Sequence, residues 1–168
     1  MLTYPGEGVY HGYMAIKNPS LNESSWLSLI LGFEWIKGGF EKIEGGQFVS
    51  GLGATLEKFA SKNPYPLVKD FLVSYAKPNS LILGNLVVVG EIFAGLAMLS
   101  FALACLVKKD SKEIHYFQAV GLFVGLLLNI TFYFAAGWTS VSTAGLNFIM
   151  AGVELVLLVS ILKRLTKS

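Results

Sequence analysis

Long apolar segments separated by short polar connections make up most of the chain. Four such segments run over about residues 26–43, 81–107, 117–136 and 143–162. An α-helix needs about 20 largely apolar residues to cross a bilayer core of about 30 Å, and the first segment is close to the minimum length. The pattern therefore predicts an all-α membrane protein, a single domain built as a four-helix transmembrane bundle.

The connection between the first two spans, residues 44–80, has a helical pattern of its own. Apolar residues recur three or four positions apart at Phe48, Leu52, Leu56 and Phe59. A second apolar group, from Leu67 to Tyr75, follows a turn that contains two prolines. This spacing predicts one or two short amphipathic helices on the membrane surface or across the end of the bundle. They are either surface helices with solvated lysines or a lid over a site.

Composition supports a membrane protein and excludes several kinds of site. Hydrophobic residues make up 54% of the 168 residues and charged residues 14%, with a net charge of +2, so nucleic-acid binding is not expected. A single cysteine, Cys105, excludes an internal disulfide and a zinc site made of cysteines. The two histidines, His11 and His115, lie outside the predicted spans, which excludes a haem held by two histidines within the bundle. No metal constellation or nucleotide-binding loop is present, so neither ligand is expected.

The distribution of lysine and arginine in the short connections predicts the orientation. Residues 108–116 and the C-terminal tail contain three each, whereas residues 137–142 contain none. Basic residues favour the cytoplasmic side, so the N and C termini of a multi-pass cell-membrane protein are predicted there. The 44–80 connection then faces outward. Residues 1–25 lack a basic start followed by an apolar core, and they are not predicted to be a cleavable signal peptide.

Ionisable residues lie within the predicted spans, where each costs about 2.5–3.5 kcal/mol at the bilayer centre. In the first span Glu34, Lys37 and Glu41 lie within about 60° of one another around the helix. Glu91, Glu154 and Asn129 occupy similar depths in the other three spans. Such residues are tolerated when they face a bundle interior or a wet cavity, so all of these side chains are expected to meet at the centre.

Two interpretations of this central cluster stay open. The first is a buried ion-pair network in which Lys37 bridges Glu34 and Glu91 and fixes the helix register. The second is a cavity for a polar or redox-active ligand, with Glu91, Glu154 or Glu34 as the candidate proton carrier. Carboxylic acids in a low dielectric can switch between neutral and charged forms, as proton-coupled chemistry requires.

Two further residues are candidates for binding a substrate. Asn147 lies seven residues before Glu154 and so on nearly the same helix face. Trp138, in the connection before the last span, is either a membrane-interface anchor or a stacking platform. Cys105, near the end of the second span, is interpreted as inert packing.

Three segments resemble parts of the DoxX/DoxD group of small four-helix membrane proteins. The segment LGFEWIKGGFEKI is similar to the first helix of that group, and NLVVVGEIFAGLAML is similar to its second helix. The segment GWTSVSTAGLNFIMAGVELVLL resembles the C-terminal part of the archaeal DoxD type, and its Trp138, Asn147 and Glu154 fall in matching places. The resemblance covers about residues 26–162.

The resemblance implies a membrane subunit of an archaeal thiosulfate:quinone oxidoreductase. Such an enzyme oxidises two thiosulfates to tetrathionate and passes two electrons to a membrane quinone, with a second small subunit as partner. It also implies association with subunits of a terminal quinol oxidase and with lipid. Lys37 and Lys42, together with lysines of the 44–80 connection, would attract the thiosulfate dianion. Glu91 or Glu154 would deliver protons to the quinone.

Two other functions remain open from the same residues. The chain is alternatively a non-catalytic accessory subunit of a terminal quinol oxidase or related respiratory complex, binding lipid or quinone. A small transporter or channel is a third interpretation, but the sequence has no internal repeat to support it.

Overall fold

The computed structural model describes residues 23–109 and 111–166, and within these ranges every regular element is helical. The helices are α1 Glu23–Glu44, α2 Phe48–Ser61, α3 Pro66–Phe71, α4 Ser80–Leu106, α5 Lys112–Ala136 and α6 Val141–Leu165. A π-helical turn, Leu72–Ala76, continues α3, and a 3₁₀ turn, Gly137–Thr139, precedes α6. Residues 1–25, which are not predicted to be a cleavable signal peptide, lie mostly outside the described residues.

Three of the described helices are long and apolar enough to cross a membrane: α4, α5 with its following turn, and α6. They make this an all-helical protein of the membrane type. The first predicted span is also a long helix, α1, but its charged residues make it more polar than the other three. It nevertheless belongs to the same bundle, because it packs against α4 along much of its length.

Helices α1, α4, α5 and α6 pack antiparallel in chain order, each against the next. Glycines set the contact between α1 and α4. A Cβ atom built on Gly95 would lie 2.8 Å from the backbone oxygen of Gly32, so the two backbones nearly touch. Helices α1 and α6, which close the bundle, touch at far fewer points. The bundle is therefore tight on three sides and looser on the fourth.

The connection between α1 and α4 covers one end of the bundle. Its inward side chains are Leu52, Leu56, Ala60, Leu72 and Ala76. Leu52 and Leu56 belong to the predicted apolar stripe of α2. Of the second predicted stripe only Leu72 is buried, whereas Leu67 is 84% exposed and Phe71 and Tyr75 are exposed as well. After α3 the chain makes a π-helical turn, in which the amide of Lys77 donates to the carbonyl of Leu72 five residues back.

Asn63 joins this connection to the end of α5. Its side-chain amide donates to the carbonyl oxygens of Phe134 and Ala135, both at 3.1 Å, and its side-chain oxygen accepts from the amide of Tyr65 at 3.0 Å. The last carbonyls of a helix have no partner within the helix, so Asn63 caps α5 from a distance.

We expect Asn63→Ala to lower the free energy of unfolding by about 1–2 kcal/mol, because it leaves these groups without their partner. The measurement is an SDS titration of the purified protein in mixed micelles. Asn85→Ala is the control, since the Asn85 amide bonds only Leu81, one turn earlier in its own helix. Equal effects of the two changes would show that Asn63 does not link the two elements.

Candidate functional site

The carboxylate of Glu154, on α6, lies at the centre of the bundle and is fully buried, with 0% exposed. Its Oε1 accepts a hydrogen bond from the indole Nε1 of Trp35 on α1, at 2.7 Å. Its Oε2 accepts one from the side-chain amide of Asn129 on α5, at 2.8 Å. Side chains from three helices therefore meet at one carboxylate, and both hydrogen-bond donors are neutral.

Gly125 provides the space for this carboxylate. A Cβ atom at that position would lie 2.5 Å from Glu154 Oε1 and 2.9 Å from Trp35 Nε1. Apolar side chains pack around the site: Leu31, Ala94, Met98, Leu122 and Leu157. Glu154 is thus a hydrogen-bonded carboxyl group in an otherwise apolar layer, where it forms no ion pair with any described residue.

A second buried carboxylate, Glu91 on α4, forms an ion pair nearer the end covered by α2. The ammonium group of Lys42 donates to Glu91 Oε1 at 2.9 Å and to the carbonyl of Gly38 at 3.3 Å. It also lies 5.3 Å from the centre of the Phe48 ring. The Glu91 side chain is 2% exposed and that of Lys42 is 24% exposed, so the cation reaches the surface and the carboxylate does not.

The other oxygen of Glu91, Oε2, has no hydrogen-bond partner among the described residues. It lies beside Gly38, where a Cβ atom would be 3.8 Å away. A carboxylate oxygen can accept further hydrogen bonds, so this oxygen is available to a donor group.

A third polar pair lies toward the opposite end, below the apolar layer. The side-chain amide of Gln118 donates to the hydroxyl of Ser28 at 2.7 Å, and both residues are buried. Gln118 also borders a cavity of about 10 Å³, enough for one water molecule, whose wall includes Ser24, His115 and Arg164. The interior thus has polar pairs at three depths, and Glu154 occupies the middle one.

The structure brings together only part of the predicted cluster. Glu91, Glu154 and Asn129 are buried, but Glu34, Lys37 and Glu41 are exposed on the outside of α1. The prediction that this charged face turns inward is wrong. The glycines Gly32 and Gly39 lie on the opposite side of α1, and their lack of side chains lets that side pack against α4.

The first interpretation of the cluster, in which Lys37 bridges Glu34 and Glu91, does not agree with the structure. Lys37 lies 3.8 Å from Glu41 on the surface of α1, and Lys42 is the residue that pairs with Glu91. Because helical residues advance by 100°, Lys42 lies about 140° around the helix from Lys37, on the inner side.

Asn147 and Trp138 do not join the central carboxylate through any hydrogen bond of the described residues. The amide of Asn147 donates to the carbonyl of Thr143, one turn earlier, at 2.7 Å. Trp138 lies in the 3₁₀ turn before α6, with its indole nitrogen buried and without a described partner. Both residues lie toward the end of the bundle that α2 and α3 cover.

Sequence reasoning missed the partners of the carboxylates. The charge and hydropathy pattern does not point to Trp35, which lies on the glycine side of α1, or to Gln118 and Ser28. The spacing of Gly32, Trp35 and Gly39 at intervals of three and four marks this inner side and is the signal that would have identified Trp35.

Neither a protein-family model, nor a curated protein, nor a solved structure matches this chain. The resemblance to the DoxX/DoxD group therefore rests on the quoted segments of the sequence. Among the described residues, no group of three or more His, Cys, Asp or Glu side chains is placed to hold a metal ion.

Proposed function

We propose that the chain is the membrane subunit of a thiosulfate:quinone oxidoreductase and that α1, α4, α5 and α6 are its four spans. The two proposed substrates, thiosulfate and a membrane quinone, are those that the sequence resemblance implies. The four-span arrangement is supported by the packing of α1 on α4 and by the hydrogen bond from Trp35 to Glu154, which puts α1 at the depth of an apolar helix. With cytoplasmic termini, α2 and α3 cover the outer end of the bundle.

The observation that carries the proposal is the buried Glu154 carboxyl group. Oxidation of two thiosulfates to tetrathionate releases two electrons, and reduction of a quinone to quinol consumes these electrons and two protons. Protons need a carrier in the apolar layer, and Glu154 is the carboxyl group there. Because its partners Trp35 and Asn129 are neutral, the group can exchange a proton without breaking an ion pair.

The remaining residues have separate roles in this proposal. Lys42, at the outer end of the bundle, provides a positive charge for the thiosulfate dianion, assisted by lysines of α2 and α3. Glu91 holds Lys42 in place. The membrane quinone, as the second substrate, approaches from lipid along the side where α1 and α6 touch at few points.

The test is thiosulfate-dependent reduction of a soluble quinone analogue by the purified complex, comparing wild type with Glu154→Gln. We expect the variant to lose about 100-fold in turnover, the lower range for removing a proton-transfer group. The new amide still accepts from Trp35, and the Asn129 side chain can turn its oxygen toward the amide nitrogen, so folding is retained.

Glu44→Gln is the matched control, because Glu44 is exposed at the end of α1, and it is expected to leave turnover unchanged. A Glu154→Gln variant with wild-type turnover would remove Glu154 from the mechanism. No thiosulfate-dependent turnover by the wild-type complex would contradict the proposed activity itself.

The exposed charges of α1 favour a second function, an accessory subunit of a terminal quinol oxidase or related complex. Glu34 and Lys37 lie on the outside of a helix that packs into an apolar bundle, and charges at such a position need a protein neighbour. An accessory subunit would co-purify with the oxidase and show no turnover with thiosulfate. Removing it would destabilise the oxidase.

A further inference from the structure

The outer face of α1 combines large apolar residues with charges. We define it by its exposed side chains, which are Trp26, Ile30, Phe33, Glu34, Lys37, Phe40 and Glu41. At 100° per residue these side chains fall within about 120° of one another and form one stripe along the helix. No described residue of another helix forms a hydrogen bond or ion pair with Glu34, Lys37 or Glu41. Within residues 23–109 and 111–166, the stripe is therefore a continuous surface that no other helix covers through polar contacts.

Lipid is an unfavourable neighbour for this stripe. Glu34 and Lys37 lie near the middle of α1, at about the depth of Trp35 and the central carboxylate. Lys37 has one weak partner, Glu41, at 3.8 Å, and both side chains stay more than half exposed. Charged groups within the hydrocarbon region normally face protein or water. The stripe therefore requires a protein partner if α1 spans the membrane.

We propose that this partner is a second copy of the chain and that the outer face of α1 packs against itself. The proposal rests on α1 being a span, as in the proposed function. Two copies inserted in the same orientation are related by an axis along the membrane normal, and a two-fold interface joins the same patch of both subunits. The two α1 helices then run parallel, with equal depths facing each other.

The order of charges on the stripe suits such a self-association. It is acidic, basic, acidic at Glu34, Lys37 and Glu41. Lys37 lies about 4.5 Å along the axis from Glu34 and about 6 Å from Glu41, at a rise of 1.5 Å per residue. Since equal depths face each other, Lys37 lies opposite Lys37 of the other copy, and its long side chain extends one turn above or below to pair with the acidic residues there. The charges form two symmetric sets of ion pairs across the axis.

Apolar residues occupy the space between these charges. Ile30 and Phe33 lie on one side of the charged positions, Phe40 lies between Lys37 and Glu41, and each is more than half exposed in one copy. Packing of these side chains against their symmetry equivalents would surround the ion pairs with apolar surface. Such a ring keeps water and lipid away from the charges, which strengthens their attraction.

The first experiment exchanges the charges of the stripe. The variant Glu34→Lys/Glu41→Lys makes the stripe fully basic, and Lys37→Glu makes it fully acidic. Each variant alone has charges of a single sign along the interface and no opposite charge within one turn, so we expect its dimer to dissociate at least tenfold more readily than the wild-type dimer. An equimolar mixture of the two pairs opposite charges and is expected to recover a mixed dimer. Mass photometry in nanodiscs, with one variant carrying a larger tag, distinguishes the three species.

Glu57→Lys is the control, because it makes the same kind of change on α2, away from the stripe, and is expected to leave the dimer intact. A monomeric wild-type protein would overturn the proposal. So would a mixture of the two charge variants that stays monomeric, or variants that dimerise as well as the wild type.

A second experiment locates the interface in native membranes. In a Cys105→Ser background, Phe33→Cys is expected to form a disulfide-linked dimer on mild oxidation. Val156→Cys is the matched control, because Val156 is as exposed but lies on α6, and it is expected to stay monomeric. Equal cross-linking from both positions, or none from Phe33→Cys, would contradict a self-association through α1.

Labelling of the same cysteine separates this inference from the proposed function. If α1 spans the membrane, a membrane-impermeant maleimide does not label Phe33→Cys from either side. Rapid labelling would show that α1 is not a span, and both the four-span arrangement and the dimer would fail. An unlabelled cysteine in a monomeric protein would overturn the dimer alone.

Discussion

Replacing Lys42 by methionine is expected to lower the free energy of unfolding by about 3 kcal/mol, because it leaves the Glu91 carboxylate buried without its cation. Removing one member of a buried ion pair typically costs about 3–5 kcal/mol, and the lower value applies here because Lys42 is partly exposed. Methionine keeps an unbranched apolar side chain of similar length at this position. The loss would therefore come mainly from the charge.

The opposite change predicts a smaller effect. In Glu91→Gln the ammonium group of Lys42 loses its partner, but its 24% exposed side chain can still reach polar surroundings. The double variant Lys42→Met/Glu91→Leu removes both charges and is expected to recover most of the stability, since apolar pairs often replace buried ion pairs without loss. This asymmetry between the two single variants is the signature of a buried carboxylate with a surface-reaching cation.

The free energy of unfolding of all three variants is measured by SDS titration in mixed micelles. Lys69→Met is the control, because Lys69 is an exposed lysine on α3, and it is expected to change stability by under about 0.5 kcal/mol. If Lys42→Met were as stable as this control, the Lys42–Glu91 contact would have no role in holding α1 against α4.

The sequence indicated the three most apolar helices well. The predicted spans 81–107, 117–136 and 143–162 correspond to Ser80–Leu106, Lys112–Ala136 and Val141–Leu165. The apolar length alone carries this information, because a helix that must cross lipid needs an uninterrupted run of apolar residues. The burial of Glu91 and Glu154 is also predictable, since each is the only Asp, Glu, Lys or Arg within the apolar run of its helix.

The orientation of α1 could not be predicted in the same way. The expectation that charges turn inward came from the cost of ionisable groups in the bilayer, which favours a bundle interior or a wet cavity. Close packing determined the face instead: Gly32 and Gly39 let the backbone of α1 approach α4, and the charges then point outward. A single sequence does not show which neighbours a helix has. For α1, it therefore does not decide whether the charged side or the glycine side faces the bundle.

The hydrogen-bond partners of the central carboxylate could not be predicted from the sequence for a related reason. Trp35 and Glu154 are 119 residues apart, and only the packing of α1 beside α6 brings them within 2.7 Å. Their meeting also depends on Gly125, whose missing side chain has no signature in a hydropathy pattern. Glycines that make room for a neighbouring side chain are the hardest functional residues to identify from one sequence.

Gly95→Leu is expected to have an effect as large as the loss of Lys42, lowering the free energy of unfolding by about 3 kcal/mol. A Cβ atom at Gly95 would lie 2.8 Å from the backbone oxygen of Gly32 and 2.8 Å from the backbone nitrogen of Ile36. These are backbone atoms, which cannot rotate away as a flexible side chain would. The helices α1 and α4 have to separate, and overpacking of this kind typically costs about 1–3 kcal/mol and occasionally more.

The separation would also reach the central site, because Trp35 lies on the same side of α1 as the glycine contact. We therefore expect Gly95→Leu to weaken the Trp35–Glu154 hydrogen bond, seen as a red shift of tryptophan fluorescence under conditions where the protein is still helical. Gly152→Leu is the control: nothing lies within 4 Å of a Cβ atom at that position, so stability and fluorescence are expected to stay near wild type. If Gly95→Leu matched this control in both measurements, α1 would not pack on α4 through the Gly32–Gly95 contact, and the inward position of Trp35 would lose its structural basis.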